Sequence, residues 1–326
     1  MMTETLPDGA RPGALFGNEF VLQRMLGQGG MGQVWHAYHL ETGADVALKF
    51  MTESSFIFSD CRKLFEREMR ATLAARSPHV VECIAAIDDG DVPYMVLEKL
   101  DGEDLSAYVS RTGPMPFSLA REVIRQLCDA VRATHEAGVI HCDLKCQNVI
   151  LSFDKAHTPI VKLIDFGLAR RRDEAALDSD ARPSGTPHAM SPEQMLTPND
   201  VDEAADYWGI CVVAYHAITG ALPFGGTSMA SILCAIATHE FLDVSYLRNG
   251  APKQIDAFFS KAFHRQRDER FENLDDLFST LDALLKQAIA QSPSDASDKT
   301  CHPEYPSFTH TRVGARTFRF GASLGV

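Results

Sequence analysis

Short apolar runs separated by glycine-bearing turns dominate the first part of the chain, a pattern typical of antiparallel strands. The predicted strands cover 20–26, 34–39, 45–50, 80–87 and 94–98. One helical stretch interrupts them at about 59–76, where Phe65, Met69 and Leu73 recur every four residues as one apolar stripe. We therefore expect a small sheet with one helix packed against it.

Beyond Asp101 and Gly102 the apolar residues recur with the period of helices. The predicted helices cover 117–136, 203–219, 229–237, 255–263 and 274–288. Strands followed by helices predict the α+β class. We divide the chain into a flexible leader, a strand-rich lobe, a helical lobe and a flexible tail, which cover 1–15, 16–100, 101–290 and 291–326.

The net charge of the chain is acidic, which bears on the kind of macromolecule it can bind. The 326 residues include 31 Lys and Arg against 44 Asp and Glu, a formal net charge of −13. Nucleic acid is therefore not expected as the main partner, since phosphate binding requires a basic surface. The sequence shows no apolar run of membrane-spanning length and no signal peptide. The eight scattered cysteines lack a disulfide pattern and predict a reducing, cytoplasmic compartment.

Five short motifs follow one another along the chain. They are Gly27-x-Gly29-Gly30-x-Gly32-x-Val34, Val46-Ala47-Leu48-Lys49, His141-Cys142-Asp143-Leu144-Lys145-x-x-Asn148, Asp165-Phe166-Gly167 and Ser191-Pro192-Glu193. In this order and spacing they resemble the catalytic signature of the eukaryotic-like, or Hanks-type, Ser/Thr protein kinases. The glycine segment and the run from Met190 to Gln194 are most similar to the bacterial branch of that family. The resemblance covers about residues 20 to 288.

The glycine motif alone is weak evidence, because dinucleotide-binding turns share its spacing. In those proteins the third glycine begins a helix. Here the motif leads into residues 34–38, whose β-branched and aromatic side chains suit a strand. We interpret Gly27, Gly29, Gly30 and Gly32 as a hairpin turn whose backbone N–H groups face phosphates. A glycine-rich turn without a ligand is the alternative.

Lys49 follows an apolar run on the third predicted strand, where its ammonium would pair with the α- and β-phosphates of ATP. A carboxylate is needed to position it, and Glu66 and Glu68 compete for that role. Glu68 lies at the edge of the apolar stripe, whereas Glu66 shares the solvent side with Arg70. We therefore choose Glu68, and the family pattern agrees.

The resemblance implies a role for each polar residue of the central motifs. Asp143 would accept or orient the proton of the attacking hydroxyl, and Lys145 would neutralise charge on the transferred phosphoryl group. Asn148 and Asp165 would hold Mg²⁺ through oxygen atoms. The family further implies a two-lobed fold, ATP as phosphate donor, and Ser/Thr hydroxyls of proteins as acceptors, including those of the kinase itself.

An adenine pocket also follows from the resemblance. Apolar residues of both lobes would form its walls, namely Leu26, Val34, Ala47, Ile150 and Ile164. Leu97 takes the gatekeeper position, the backbone of Glu98 and Leu100 would bond the base, and Asp104 would reach the ribose. The same apolar side chains are equally compatible with an ordinary core.

Further polar residues are expected to hold the kinase pattern together. Asp206 would bond the backbone of the catalytic loop, and Thr186 would bond a side chain of that loop. Glu193 would pair with Arg270 as a buried ion pair.

Two other functions are compatible with parts of this pattern. A pseudokinase would use the fold as a nucleotide-binding scaffold, but such proteins usually lack one of Lys49, Glu68, Asp143, Asn148 and Asp165. A small-molecule phosphotransferase is disfavoured by Ser191-Pro192-Glu193 and by the Asp206 helix.

Cys142 departs from the family pattern, which usually has Arg before the catalytic Asp. That Arg pairs with a phosphate on the activation loop and orders the loop. Cys142 and Cys146 also flank Lys145, so an activated, redox-sensitive thiol is one interpretation. Two small residues packed in a loop are the other.

Without that Arg, phosphorylation of the activation loop should matter less for activity. Ser179 and Ser184 are the only hydroxyl residues between Gly167 and Gly185. We predict that changing both to Ala leaves phosphate transfer largely intact, measured with labelled ATP. Loss of activity in the double variant would show this prediction to be wrong.

Overall fold

The computed structural model describes residues 10–29, 32–51, 59–87, 92–171, 185–226 and 228–291. Most of the predicted leader, Gly30, both loop serines and all but the first residue of the predicted tail lie outside these ranges. The boundaries assigned to leader, lobes and tail therefore stay predictions.

One antiparallel sheet of six strands forms the first lobe, in the order β1-β2-β3-β4-β6-β5. Its strands are β1 Leu15–Phe16, β2 Phe20–Gln28, β3 Gly32–His39, β4 Asp45–Met51, β5 Cys83–Ile87 and β6 Tyr94–Glu98. The strand predictions are confirmed, except that β5 begins at Cys83 instead of residue 80. The preceding residues bond to the second lobe instead, where Val80 forms a parallel bridge with Leu163.

Helix α1, Ser59–Ala74, packs on this sheet through its apolar stripe. Phe65 and Met69 are buried with Met51 and Met95 of the sheet. The third predicted member, Leu73, is exposed instead. A spacing of four residues drifts by about 40° per step on an α-helix, so Leu73 has rotated away from the buried face.

The second lobe is mainly helical, as predicted. Its helices are α2 Leu105–Thr112, α3 Phe117–Glu136, α4 Pro192–Leu196, α5 Glu203–Thr219, α6 Met229–Thr238, α7 Val244–Leu247, α8 Gln254–Ala262 and α9 Leu274–Gln291. Helix α5 is buried continuously from Ala205 to Thr219 and forms the centre of the lobe. The short helices α2, α4 and α7 were not predicted, because they span too few turns to show a periodicity.

Short strands between the helices position the two loops that carry the central motifs. β7 Glu103–Asp104, β9 Val149–Phe153 and β10 Pro159–Leu163 form one sheet, and β8 Val139–Ile140 pairs with β11 Arg170–Arg171. Residues 141–148 thus lie between β8 and β9, and Asp165 follows β10. Among the described residues, no helix is both long enough and apolar enough to cross a membrane.

Gly209 allows α5 to approach the 141–148 loop closely. A Cβ atom at Gly209 would lie 2.5 Å from the Cβ of Leu144 and 3.1 Å from its carbonyl oxygen. Any larger residue would push the loop away from the helix, because protein interiors are close-packed.

We expect Gly209→Ala to lower the free energy of unfolding by about 1 to 3 kcal/mol, the usual cost of overpacking a core. Gly225→Ala is the matched control, since a Cβ there meets nothing within 4 Å. Thermal unfolding compares the two variants with the wild type. An unchanged melting temperature for Gly209→Ala would contradict this account of the contact.

Candidate active site

Lys49, on β4, forms ion pairs with two carboxylates from different parts of the fold. Its ammonium bonds Glu68 of α1 and lies 3.0 Å from Oδ1 of Asp165. Glu66 instead pairs with Arg62 at 3.2 Å on the same helix. Lys49 thus contacts Glu68 and not Glu66, while the role of this pair at ATP stays a prediction. The sheet, helix α1 and the residues after β10 converge at one ammonium.

One ammonium faces two carboxylates in this cluster, of which Glu68 is buried and Asp165 is partly exposed. Burial alone would lower the pKa of Lys49, but Glu68 and Asp165 raise it above its ordinary value. Burial raises the pKa of Glu68. For Asp165 the effect of burial is outweighed by Lys49, which holds the pKa below its usual range. Asp165 therefore stays ionised, as a ligand for a cation requires.

Asp143 and Lys145 are joined directly in the loop between β8 and β9. Lys145 Nζ lies 2.6 Å from Asp143 Oδ2 and 2.6 Å from Thr186 Oγ1. The amide of Asn148 donates to the Asp143 carbonyl at 2.9 Å and to its carboxylate at 3.1 Å. The expected bond between Thr186 and the loop is therefore present, and it links the segment that begins at residue 185 to Asp143 and Lys145.

Asp206, in the first turn of α5, holds this loop in place. It accepts the backbone N–H groups of His141 and Cys142 at 2.8 and 2.9 Å, and a ring nitrogen of His135 lies 2.8 Å away. Cys142 has φ of 63°, a conformation that non-glycine residues adopt only under such constraint. Burial would raise the pKa of Asp206, but His135 and the amides hold it lower. The prediction for Asp206 is confirmed, whereas His135 was missed.

The residues predicted to hold Mg²⁺ supply suitable donors. Asn148 directs its NH₂ group toward Asp143, which leaves its carbonyl oxygen for another partner. Asp165 contributes an ionised, partly exposed carboxylate, and its backbone has a φ of 64°. Hard oxygen donors of this kind fit Mg²⁺.

The residues of the predicted adenine pocket occupy adjacent register positions. Ala47 lies opposite Leu97, and Val34 lies opposite Lys49. Across the cleft, Asp104 lies opposite Ile150. Leu26 is exposed, while Glu98 and Leu100 are half-buried. The pocket itself stays a prediction, since these positions show proximity and not binding.

Three of the four loop glycines, Gly27, Gly29 and Gly32, lie within the described residues. Gly27 and Gly29 are exposed, and a Cβ on either would meet nothing within 4 Å. Gly29 N–H donates to the Gly32 carbonyl at 2.9 Å, which closes the hairpin between β2 and β3. At Gly32 a Cβ would lie 2.1 Å from the Phe50 carbonyl oxygen, so that glycine is required by strand packing. Gly30 lies outside the described residues.

The segment from 185 onward is fixed to the helical lobe. Glu193 forms two hydrogen bonds with the guanidinium of Arg270, at 2.8 and 2.7 Å. Burial would raise the pKa of Glu193, but Arg270 outweighs it and keeps the pKa low. The predicted buried ion pair is confirmed.

The two cysteines of the loop lie in a buried environment. Cys142 and Cys146 are both buried, and burial raises the pKa of each well above its ordinary value. A thiol that stays protonated is a poor nucleophile. Burial therefore favours the packing interpretation, in which Cys142 packs with Ile140, Val201 and Ala205 as a small apolar residue.

The ion pair between Glu98 and Lys162, here called the Glu98 clamp, was not predicted from the sequence. The Glu98 carboxylate accepts Lys162 Nζ at 2.5 Å and the backbone N–H of Glu82 at 2.8 Å. Lys162 also donates to the Val80 carbonyl at 3.2 Å. The strand before Asp165 is thus bonded to the segment that joins the two lobes. Nothing in the sequence pattern distinguishes Lys162 from a surface lysine.

Comparison with known proteins agrees with this geometry. The family model described as protein kinase domain matches residues 20–295. The chain belongs to the protein kinase domain family. Its two-lobed α+β kinase fold and the resemblance predicted from the motifs are thereby confirmed.

Similar curated proteins are bacterial kinases. The kinase domain is 30% identical to serine/threonine-protein kinase Pkn1 of Myxococcus xanthus over 274 residues, 84% of this chain and 39% of Pkn1. It is 30% identical to PknE of Mycobacterium bovis over 289 residues, 88% of this chain and 49% of PknE. PknH of Mycobacterium tuberculosis is 30% identical over 82% of this chain and 42% of PknH. The chain thus spans less than half of each of these relatives.

The Glu98 clamp generates a prediction about nucleotide affinity. Because Lys162 anchors the residue whose backbone is predicted to bond adenine, Lys162→Met should raise the Kd for ATP about three- to tenfold, the usual net effect of one lost hydrogen bond. When Glu98→Gln is combined with Lys162→Met, the Kd for ATP should rise little further. Isothermal titration calorimetry measures both variants and their combination.

Lys286→Met is the control, because Lys286 also pairs with a carboxylate, Asp282 at 2.7 Å, but lies on α9. Fully additive losses in the double variant, or equal losses in the control, would refute the clamp.

Proposed function

We propose that this kinase domain transfers the γ-phosphate of ATP to Ser or Thr hydroxyls of proteins. One observation carries the proposal: Lys145 bonds both Asp143 and Thr186, while Lys49 bonds both Glu68 and Asp165. The first cluster joins the 141–148 loop to the segment that begins at residue 185, and the second joins the sheet and helix α1 to the residues after β10. Together they supply the base, the cations and the metal ligands of phosphoryl transfer.

The reaction places a specific demand on each residue. Asp143 accepts the hydroxyl proton as the acceptor oxygen forms its bond to the γ-phosphorus, and the bond to the β-phosphate oxygen breaks to release ADP. Lys145 lies 2.6 Å from Asp143, where it neutralises negative charge on the transferred group. Thr186 orients Lys145 from the acceptor side. Protein kinases use ATP and Mg²⁺, and bound Mg²⁺ stabilises the phosphate charge.

Lys49 would bind the α- and β-phosphates, and the pairing with Glu68 holds its ammonium in place. Asp165 and Asn148 would hold Mg²⁺ through their side-chain oxygens. The glycine hairpin, with Gly27, would cover the phosphates. The adenine ring would lie between the apolar side chains that the two lobes contribute to the predicted pocket.

The pseudokinase alternative uses the same fold without turnover. The complete set of catalytic groups, connected as active phosphoryl transfer requires, favours the enzyme. Protein acceptors, including the chain itself, fit a Thr186 segment fixed beside Asp143. The seven described cysteines are free thiols, which supports the proposed reducing, cytoplasmic compartment.

Labelled ATP with Mg²⁺ tests the proposal, with a generic basic protein as acceptor. We expect label on Ser or Thr with the wild type, and a loss of at least about a hundredfold in Asp165→Asn, because electrostatic stabilisation by the metal is lost. Binding of ATP without transfer would favour the scaffold. Equal transfer by both proteins would mean that a contaminant is the kinase.

A further inference from the structure

Gln194 connects the segment on the acceptor side to the catalytic loop, although it belongs to none of the catalytic motifs. Its side-chain NH₂ group donates to the backbone carbonyl of Cys142 at 2.6 Å. Gln194 is only 6% exposed and lies in α4, close to Thr186 along the chain. Its partner, the peptide between Cys142 and Asp143, leads directly to the catalytic carboxylate.

The amide of Gln194 is fixed at its other atom as well. Its Oε1 accepts the backbone N–H of Ser191 at 3.0 Å, and Ser191 Oγ accepts the Gln194 N–H at 3.4 Å. These two bonds form a capping box at the start of α4. Because Oε1 is held by the cap, the NH₂ group is oriented toward Cys142 without loss of further side-chain freedom.

The loop is thereby constrained from both sides. Asp206 accepts the N–H groups of His141 and Cys142 from α5, while Gln194 donates to the Cys142 carbonyl from α4. Cys142 has the left-handed φ of 63°, which persists only where its surroundings over-determine it. Helix α4 is in turn anchored through Glu193 to Arg270.

We propose that Gln194 is a positioning residue that sets the orientation of Asp143 relative to the acceptor segment, through a neutral amide instead of a phosphate. The inference rests on the proposed kinase function. It deepens that function by accounting for Cys142: the loop and the segment are joined by a bond that needs no charged side chain at residue 142.

Gln194→Glu isolates this bond. A glutamate at that place in a capping box still accepts the Ser191 N–H, so the start of α4 is retained. At pH 8 its carboxylate cannot donate to the Cys142 carbonyl and faces it as a second acceptor. Gln194→Met removes both bonds and provides the comparison.

In the kinase assay we expect kcat to fall about tenfold in both variants, since a lost buried hydrogen bond displaces Asp143. The KM for ATP should change less than about twofold, because Lys49 and Glu98 are not contacted by Gln194. Normal kcat in Gln194→Glu would overturn the proposal. A loss of kcat that merely parallels a fall in melting temperature across both variants would overturn it too.

Hydrogen exchange followed by mass spectrometry tests the inference independently of turnover. The amides of His141 and Cys142 should exchange faster in Gln194→Glu, with residues 203–219 unchanged. Gln126→Glu is the matched control: Gln126 is also a buried amide that donates to a carbonyl, that of Pro159 at 2.8 Å, but on α3. It should lower stability without exposing residues 141–144.

The two measurements separate the claims. If the wild type transfers no phosphate, the proposed function fails, and exchange at His141 and Cys142 still decides the role of Gln194. Unchanged exchange there in Gln194→Glu would refute the positioning role.

Discussion

The site depends on the hydrogen bonds that the buried carboxylate of Asp206 accepts from the backbone of the 141–148 loop. Asp206 bonds the backbone of His141 and Cys142 and the ring of His135, and it belongs to helix α5, which is buried from Ala205 to Thr219. A buried ionised group persists only when its hydrogen bonds are satisfied. Because these bonds fix the strained backbone at Cys142, they also determine where Asp143 and Lys145 point.

The other half of the site depends on the ammonium of Lys49, which Glu68 and Asp165 share. Lys49 belongs to the sheet lobe, yet one of its two carboxylates, Asp165, follows a strand of the helical lobe. Such a cluster is stable only while its opposite charges remain paired in the low-dielectric cleft. A metal ion bound by Asp165 would neutralise this carboxylate in place of Lys49.

Much of this arrangement could be predicted from the sequence, because the motifs fix both residue type and spacing. The stripe of α1 distinguished Glu68 from Glu66, and the pairing of Glu193 with Arg270 followed from the family pattern. Contacts made by ordinary residues could not be predicted. Lys162, His135 and Gln194 act through partners 64, 71 and 52 residues away in the sequence, and only the packed fold brings them together.

The most direct test of the account is a crystal structure of the chain with Mg²⁺ and a non-hydrolysable ATP analogue. The account predicts a metal ion bound by oxygens of Asp165 and Asn148, phosphates against Lys49, and Asp143 and Lys145 beside the terminal phosphate. A nucleotide bound without metal, with Asp165 still paired to Lys49 and the terminal phosphate remote from Asp143, would contradict it.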